Sequence, residues 1–356
     1  MKKIILLCLA FLIFSFKESK KSSLHSERLP EKYYTGIRDN KNIERLYPKI
    51  ERLSPKLDEF IKSSAQLEII SKGYDWAEGP VWIETEKMLL WSDVPKNSIY
   101  SWKEGEEAKL YLKPSGYTGS TPLGTREPGS NGLLLSPDGK LVLCQHGDRR
   151  LAYMDAPVKS PQPKFISVAD KFEEKKFNSP NDAVYDNIGN LYFTDPPYGL
   201  KTQNDESPEK EIEFNGVYKV DKEGKVTVLI DSLTRPNGIA FNTDYTRCYV
   251  SNSDPQKAYW AVYDVTPDKT FANGKIFFDA TNMVKQGKKG LPDGLKVDDI
   301  GTLYATGPGG ILVLTTYGEH IGTINTQHAT ANCGFNADKS VLYITADNYI
   351  MRLKLL

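Results

Sequence analysis

Six positions in this chain combine an oxygen-bearing side chain with a repeated neighbourhood: Glu78, Asn131, Asn181, Asn237, Asp293 and Asn332. Each opens a short apolar run, as in Glu78-Gly79-Pro80-Val81-Trp82, Ser130-Asn131-Gly132-Leu133 and Pro236-Asn237-Gly238-Ile239. Each run leads to a second one, such as Leu89-Leu90-Trp91-Ser92-Asp93 or Leu191-Tyr192-Phe193. Two of the six are carboxylates and four are amides. Gathered in one place, they would make a ring of hard oxygens with about two negative charges, which is the donor set that calcium takes. A plainer reading competes. Pro-Asn-Gly and Pro-Asp-Gly are turn formers, and a repeat protein repeats its turns. Glu78 is not a turn residue, and it argues for the ring.

The elements that must position these residues follow from the repeat. Each unit reads strand, turn, strand, and Asp186-Asn187-Ile188-Gly189-Asn190 has the chemistry of a tight hairpin. Units recur roughly every 40–60 residues, the spacing of four-stranded propeller blades. In a propeller the first strand of each blade lines the channel, so the six oxygens would face one axis. The expected fold is all-β: a six-bladed β-propeller over residues 66–356, with a short helical or irregular N-terminal extension. The last unit is truncated, and a ring must leave no open edge. Residues 67–71 are therefore expected to supply the outermost strand of the last blade.

Residues 18–65 read as a polar linker followed by one short helix, with Ser54-Pro55 as its start and Leu57, Phe60 and Ile61 as its apolar face. Residues 1–17 join a basic Met1-Lys2-Lys3 to an apolar run too short for a membrane span, so they read as a signal peptide or anchor. An exported protein, periplasmic or extracellular, is expected. It would touch a membrane only if this segment is retained.

Composition excludes several classes. Lys and Arg together number 46, as do Asp and Glu, so no basic surface points to nucleic acid. Of the four cysteines, Cys8 lies in the apolar N-terminus, and Cys144, Cys248 and Cys333 form neither a disulfide framework nor a CxxC zinc site. The histidines, His25, His146, His320 and His328, are scattered. There is no GxSxG elbow, no HExxH motif and no phosphate-cradling loop.

Taken in order, AEGPVW, SPNDAV, RPNGIAF and LPDGLKVD resemble the SMP-30/gluconolactonase/LRE-like family, from about Leu67 to the C-terminus. The resemblance implies a six-bladed propeller with one divalent metal, most often calcium, and hydrolysis of a small sugar-type lactone. An oxygen site also admits Zn²⁺ or Mn²⁺. Carried over, the metal ligands are Glu78, Asn181, Asn237 and Asp293, with Asp293 as the base for an attacking water; Asn131 and Asn332 become channel-lining neighbours. His146 is a second base candidate. Some sugar-lactonase relatives carry an arginine two residues before the position of Asn181, where this chain has Ser179. Substrate contacts are therefore sought in Asn131, in Arg126 and Tyr117 of the long loop 113–129, in Arg149, and in Asp195. Two rivals remain: a non-catalytic, metal-braced propeller that binds a partner or glycan, and an aryl-ester or organophosphate hydrolase on the same site.

Overall fold

The structure is a computed structural model that describes residues 44–46 and 49–356. The signal or anchor segment, and the linker as far as residue 43, lie outside the described residues. Six antiparallel sheets follow one another around an axis. Their inner strands are Ala77–Ile83, Ser130–Leu135, Ala183–Tyr185, Pro236–Phe241, Leu295–Val297 and Thr330–Phe335, and each of the first four blades runs outward from there in chain order. The expected six-bladed propeller is therefore the fold. Apolar alternation explains it. The faces of adjacent blades bury clusters between them, such as Leu90 and Ile99 against Leu133 and Leu143, or Phe193 and Tyr218 against Val142 and Leu151. Cys144, Cys248 and Cys333 are buried free thiols within these layers.

The ring closes as the pattern requires. Leu67–Lys72 pairs antiparallel with the C-terminal strand Tyr349–Lys354 and completes the sixth blade. Within the stretch expected to be linker and short helix, two strands form. Glu44–Leu46 pairs with Leu67–Lys72, and Lys49–Arg52 pairs with His320–Asn325 of the fifth blade. Outer strands expose unpaired backbone groups that accept almost any extended partner, so three or four residues suffice and leave no periodic signature. The helix is a single 3-10 turn, Pro55–Glu59, capped by Ser54, and Leu57 is buried against the fifth and sixth blades.

The glycines of the repeated motifs have a packing role that turn chemistry does not capture. A Cβ on Gly79 would lie 2.3 Å from Asn131 O, one on Gly132 would lie 2.7 Å from Asn181 O, and one on Gly238 would lie 2.3 Å from Asp293 O. In each case the residue after one blade's oxygen donor touches the backbone of the next blade's donor. The channel is narrow because these positions have no side chain.

Candidate metal centre and catalytic cavity

A second repeated device holds three of the donors. Near the end of the second strand in the first, third and fourth blades, a hydroxyl reaches across to the next blade. Ser92 donates to Asn131 O at 2.9 Å, Thr194 to Asn237 O at 2.6 Å, and Ser251 to Asp293 O at 2.7 Å. The residue after the hydroxyl braces the segment that enters its own blade. Asp93 accepts from the Asp75 and Trp76 amides, and Asp195 accepts from Asn178 N and Ser179 N, both at 2.7 Å. Asn252 accepts from Arg235 N at 2.8 Å. Asn237 is thus held from both sides, Asn131 and Asp293 by the hydroxyl of the preceding blade, and Glu78 and Asn181 by the brace on the segment that leads to them.

The result is a cavity of about 320 Å³ at one end of the channel, lined by Glu78, Asn131, Asn181, Asn237 and Asp293 from five blades. Trp76, Glu127, Tyr198, Ser253 and Leu291 complete its main walls. All five ring residues are buried or enclosed within it. The Oδ1 atoms of Asn131, Asn181, Asn237 and Asp293 are buried without any hydrogen-bond partner. An unsatisfied buried polar atom typically costs about 1–3 kcal/mol, so four acceptors around one cavity suit a ligand that brings a cation or hydrogen-bond donors. The Asn237 amide nitrogen donates to Ser253 Oγ at 3.0 Å, which turns its oxygen inward. Ser253 in turn donates to Pro292 O.

Electrostatics point the same way. Burial, and then the neighbouring Glu78, Asp182 and Glu127 charges, push the Asp293 carboxyl well above the usual range. Burial likewise lifts Glu78, with an amide from Gly79 and the Asn332 side chain pulling it partly back. A cation among them would favour the ionised forms of both. The donor set therefore fits a hard divalent ion: two carboxylates and amide oxygens that line one cavity, with Oδ1 of Asn131, Asn181, Asn237 and Asp293 unpartnered. Among the described residues, no group of three or more His, Cys, Asp and Glu is placed to hold a metal, so a thiolate or imidazole centre has no counterpart here.

Of the residues expected around the metal, Glu78, Asn181, Asn237 and Asp293 meet in this cavity, and Asn131 joins them. The other expected substrate contacts lie elsewhere. Tyr117 donates its hydroxyl to Thr121 O at 2.6 Å within its own loop, and Arg126 is exposed. Arg149 spends its guanidinium on Phe177 O, Lys176 O and Glu211. Asp195 is a brace for the segment entering the third blade. His146 does not line the cavity; it is fully buried behind Glu127, its Nδ1 lies 3.7 Å from Glu127 Oε2, and both ring nitrogens lack hydrogen bonds. Burial holds its pKa down to about 3, so the ring is neutral.

Sequence reasoning missed Trp76, Tyr198, Ser253 and Asp182. Asp182 is the third blade's replacement for the glycine that follows the donor in four other blades. Its carboxyl enters the channel, raised by burial and partly relieved by Lys296, whose Nζ is 4.0 Å away. That substitution within the repeat was the readable signal. Ser253 had no such signal, because its role depends on the fold of Asn237 against Pro292.

Comparison with known proteins agrees with this fold. Residues 76–348 match the SMP-30/gluconolactonase/LRE-like region. A gluconolactonase of Zymomonas mobilis is 38% identical over 316 residues, covering 86% of each chain. A pentonolactonase of Haloferax volcanii is 23% identical over 75% of this chain and 80% of its own. A gluconolactonase structure from Xanthomonas campestris superposes with a TM-score of 0.73 at 26% identity, over 86% of this chain and 95% of that one. The motifs, the propeller and the shared length agree, and the chain belongs to the SMP-30/gluconolactonase/LRE-like family.

Proposed function

We propose that this protein is a divalent-metal-dependent lactonase that opens small sugar-type lactones, with calcium as the preferred ion. Lactone hydrolysis rests on family membership and on the likeness to gluconolactonases. The observation that carries the metal is the set of four unpartnered oxygens around one cavity. Glu78, Asn181, Asn237 and Asp293 would hold the ion. When bound, it would supply Lewis-acid polarisation of the lactone carbonyl and acidification of water.

The chain's own groups do the rest. Asp293 orients the attacking water and takes its proton. Asn131, with its oxygen free, accepts a hydrogen bond from a substrate hydroxyl. Trp76 and Leu291 offer the apolar surface that sugar-ring carbons need, and Tyr198 borders the same space.

The test is acid release from glucono-δ-lactone by metal-stripped protein, followed while Ca²⁺, Mn²⁺ or Zn²⁺ is added back. Turnover restored by calcium at the lowest concentration supports the reading. Full turnover in the stripped protein would overturn the metal; no turnover on any lactone would overturn the substrate class. The basic and apolar N-terminus further supports export, which fractionation of cells expressing the full chain would test.

A further inference from the structure

A third carboxylate faces the cavity and has no place in the ring of strand-borne donors. Glu127 comes from the long loop 113–129 over the cavity mouth. Its orientation is built. Gln203 Nε2 donates to Glu127 Oε1 at 3.0 Å and also reaches Tyr198 O at 3.1 Å. Thr125 Oγ1 accepts from Glu127 N at 3.3 Å and donates to Leu200 O at 3.3 Å. Asn97 Oδ1 fixes the start of the loop through the amides of Ser115, Gly116 and Tyr117. Two loops from different blades therefore interlock to present one carboxyl to the cavity.

We propose that Glu127 is the general acid of the reaction, protonating the ring oxygen as the acyl–oxygen bond breaks. This rests on the lactonase reading above. Water attacks the carbonyl carbon and gives its proton to Asp293. The tetrahedral species collapses, the ring C–O bond breaks, and its electron pair stays on the ring oxygen, which takes the proton from the Glu127 carboxyl. The proton on Asp293 returns to Glu127 through solvent, and the net change is the addition of one water. Sugar lactones need this help because their leaving group is an aliphatic alkoxide, a far stronger base than a phenoxide.

The surroundings of Glu127 suit an acid. Facing it are Arg126 on its own loop, neutral His146 behind it, Tyr198 and Gln203 on the neighbouring loop, and Glu78 and Asp293 across the cavity. The one full cation among these, Arg126, is solvent-exposed. Burial lifts the Glu127 carboxyl to about 7, against the opposing pull of Gln203 and Arg126. A role for Glu127 as a strand-borne ligand is not available, since it lies on the loop and not at any donor position of the repeat.

The experiment compares wild type with Glu127→Gln, both loaded with calcium, on glucono-δ-lactone and on dihydrocoumarin, an aryl lactone whose leaving group is a phenol. General acid–base catalysis is worth about 10²–10⁴-fold. The expected result is a loss of about 10²-fold or more in kcat on the sugar lactone, with a loss below about 10-fold on the aryl lactone and unchanged calcium affinity by calorimetry. Equal losses on both lactones would overturn the proposal, as would loss of calcium binding in the variant. Where wild type does not turn over dihydrocoumarin, the pH profile decides: wild-type kcat on the sugar lactone should fall on the alkaline side, and the variant should lack that limb. A shared limb overturns the proposal. Wild type inactive on every lactone with calcium present sinks the lactonase reading itself, a different outcome from any of these.

Discussion

Replacing Gly238 by alanine tests whether the narrow channel sets the spacing of the donors. The new Cβ would stand 2.3 Å from Asp293 O and 2.8 Å from Gly294 Cα. Ordinary contact begins at 3.4 Å, so one inner strand must retreat by about 1 Å. Both of these atoms are backbone, and no rotamer relieves the clash. Overpacking of this kind costs about 1–3 kcal/mol of stability. A reacting group displaced by about 1 Å can lose about 10²-fold in rate. Asn237 and Asp293 flank the contact, so kcat/KM and calcium affinity should both fall sharply while the propeller still folds. Gly224→Ala is the control. Gly224 has φ +82° with nothing within 4 Å of its would-be Cβ, so alanine there adds only left-handed strain of about 1–2 kcal/mol, far from the cavity. Thermal unfolding, calcium calorimetry and lactone turnover would be measured on both. If Gly238→Ala matched Gly224→Ala in lost Tm and kept wild-type turnover and calcium affinity, the channel glycines would not be what positions the donors.

Two further outcomes follow from the supports behind the site. Ser253→Ala frees the amide that turns Asn237 inward, and loss of such an outer partner weakens metal binding by about 10–100-fold; an unchanged calorimetric Kd would contradict that role. Asp195 sits at about 7 through burial, above the roughly 3.9 of an unfolded aspartate. The native state therefore holds this proton more tightly, so the stabilisation is complete below about pH 4 and is lost as pH rises through about 7. Wild-type Tm should accordingly fall more steeply than that of Asp195→Asn between pH 5 and 8, and parallel slopes would show that Asp195 does not titrate in this range.

The donors were legible and the walls were not, for a physical reason. Glu78, Asn131, Asn181, Asn237 and Asp293 share one structural position in a repeat, so alignment within the chain predicts that they converge. Glu127, Tyr198 and Gln203 lie on connections that occur once, and nothing in the repeat constrains where such loops cross. Arg126 and Tyr117 were sensible candidates by chemistry. The same loop presents its neighbour Glu127 instead, because Asn97 and Thr125 fix its path. Asp195 was legible only as an acid in the right neighbourhood. Its counterpart in the first blade, Asp93, shows that it belongs to the bracing pattern rather than to substrate. Likewise Pro-Asn-Gly looked like turn chemistry, yet its glycine answers to the next blade's backbone.

The site also depends on ring closure, because its donors come from both ends of the propeller sequence. Glu78 belongs to the first blade, and the Asn332 side chain that stabilises its charge belongs to the sixth. They meet only once Leu67–Lys72 has paired with Tyr349–Lys354. The seam is secured at the channel, where a Cβ on Gly334 would lie 2.5 Å from Pro80 O. It is secured further out by Arg352, which binds Glu68 of the closing strand and Glu104 of the first blade while lying over the Trp102 ring. Closing so long a loop costs only slightly more entropy than closing a short one, since the penalty grows with the logarithm of length. Paired backbone and a mostly buried ion pair are enough to hold it. A cation gripped by Glu78 and Asp293 would add a bond across the same seam, so metal binding and ring closure must stabilise each other by the same free energy.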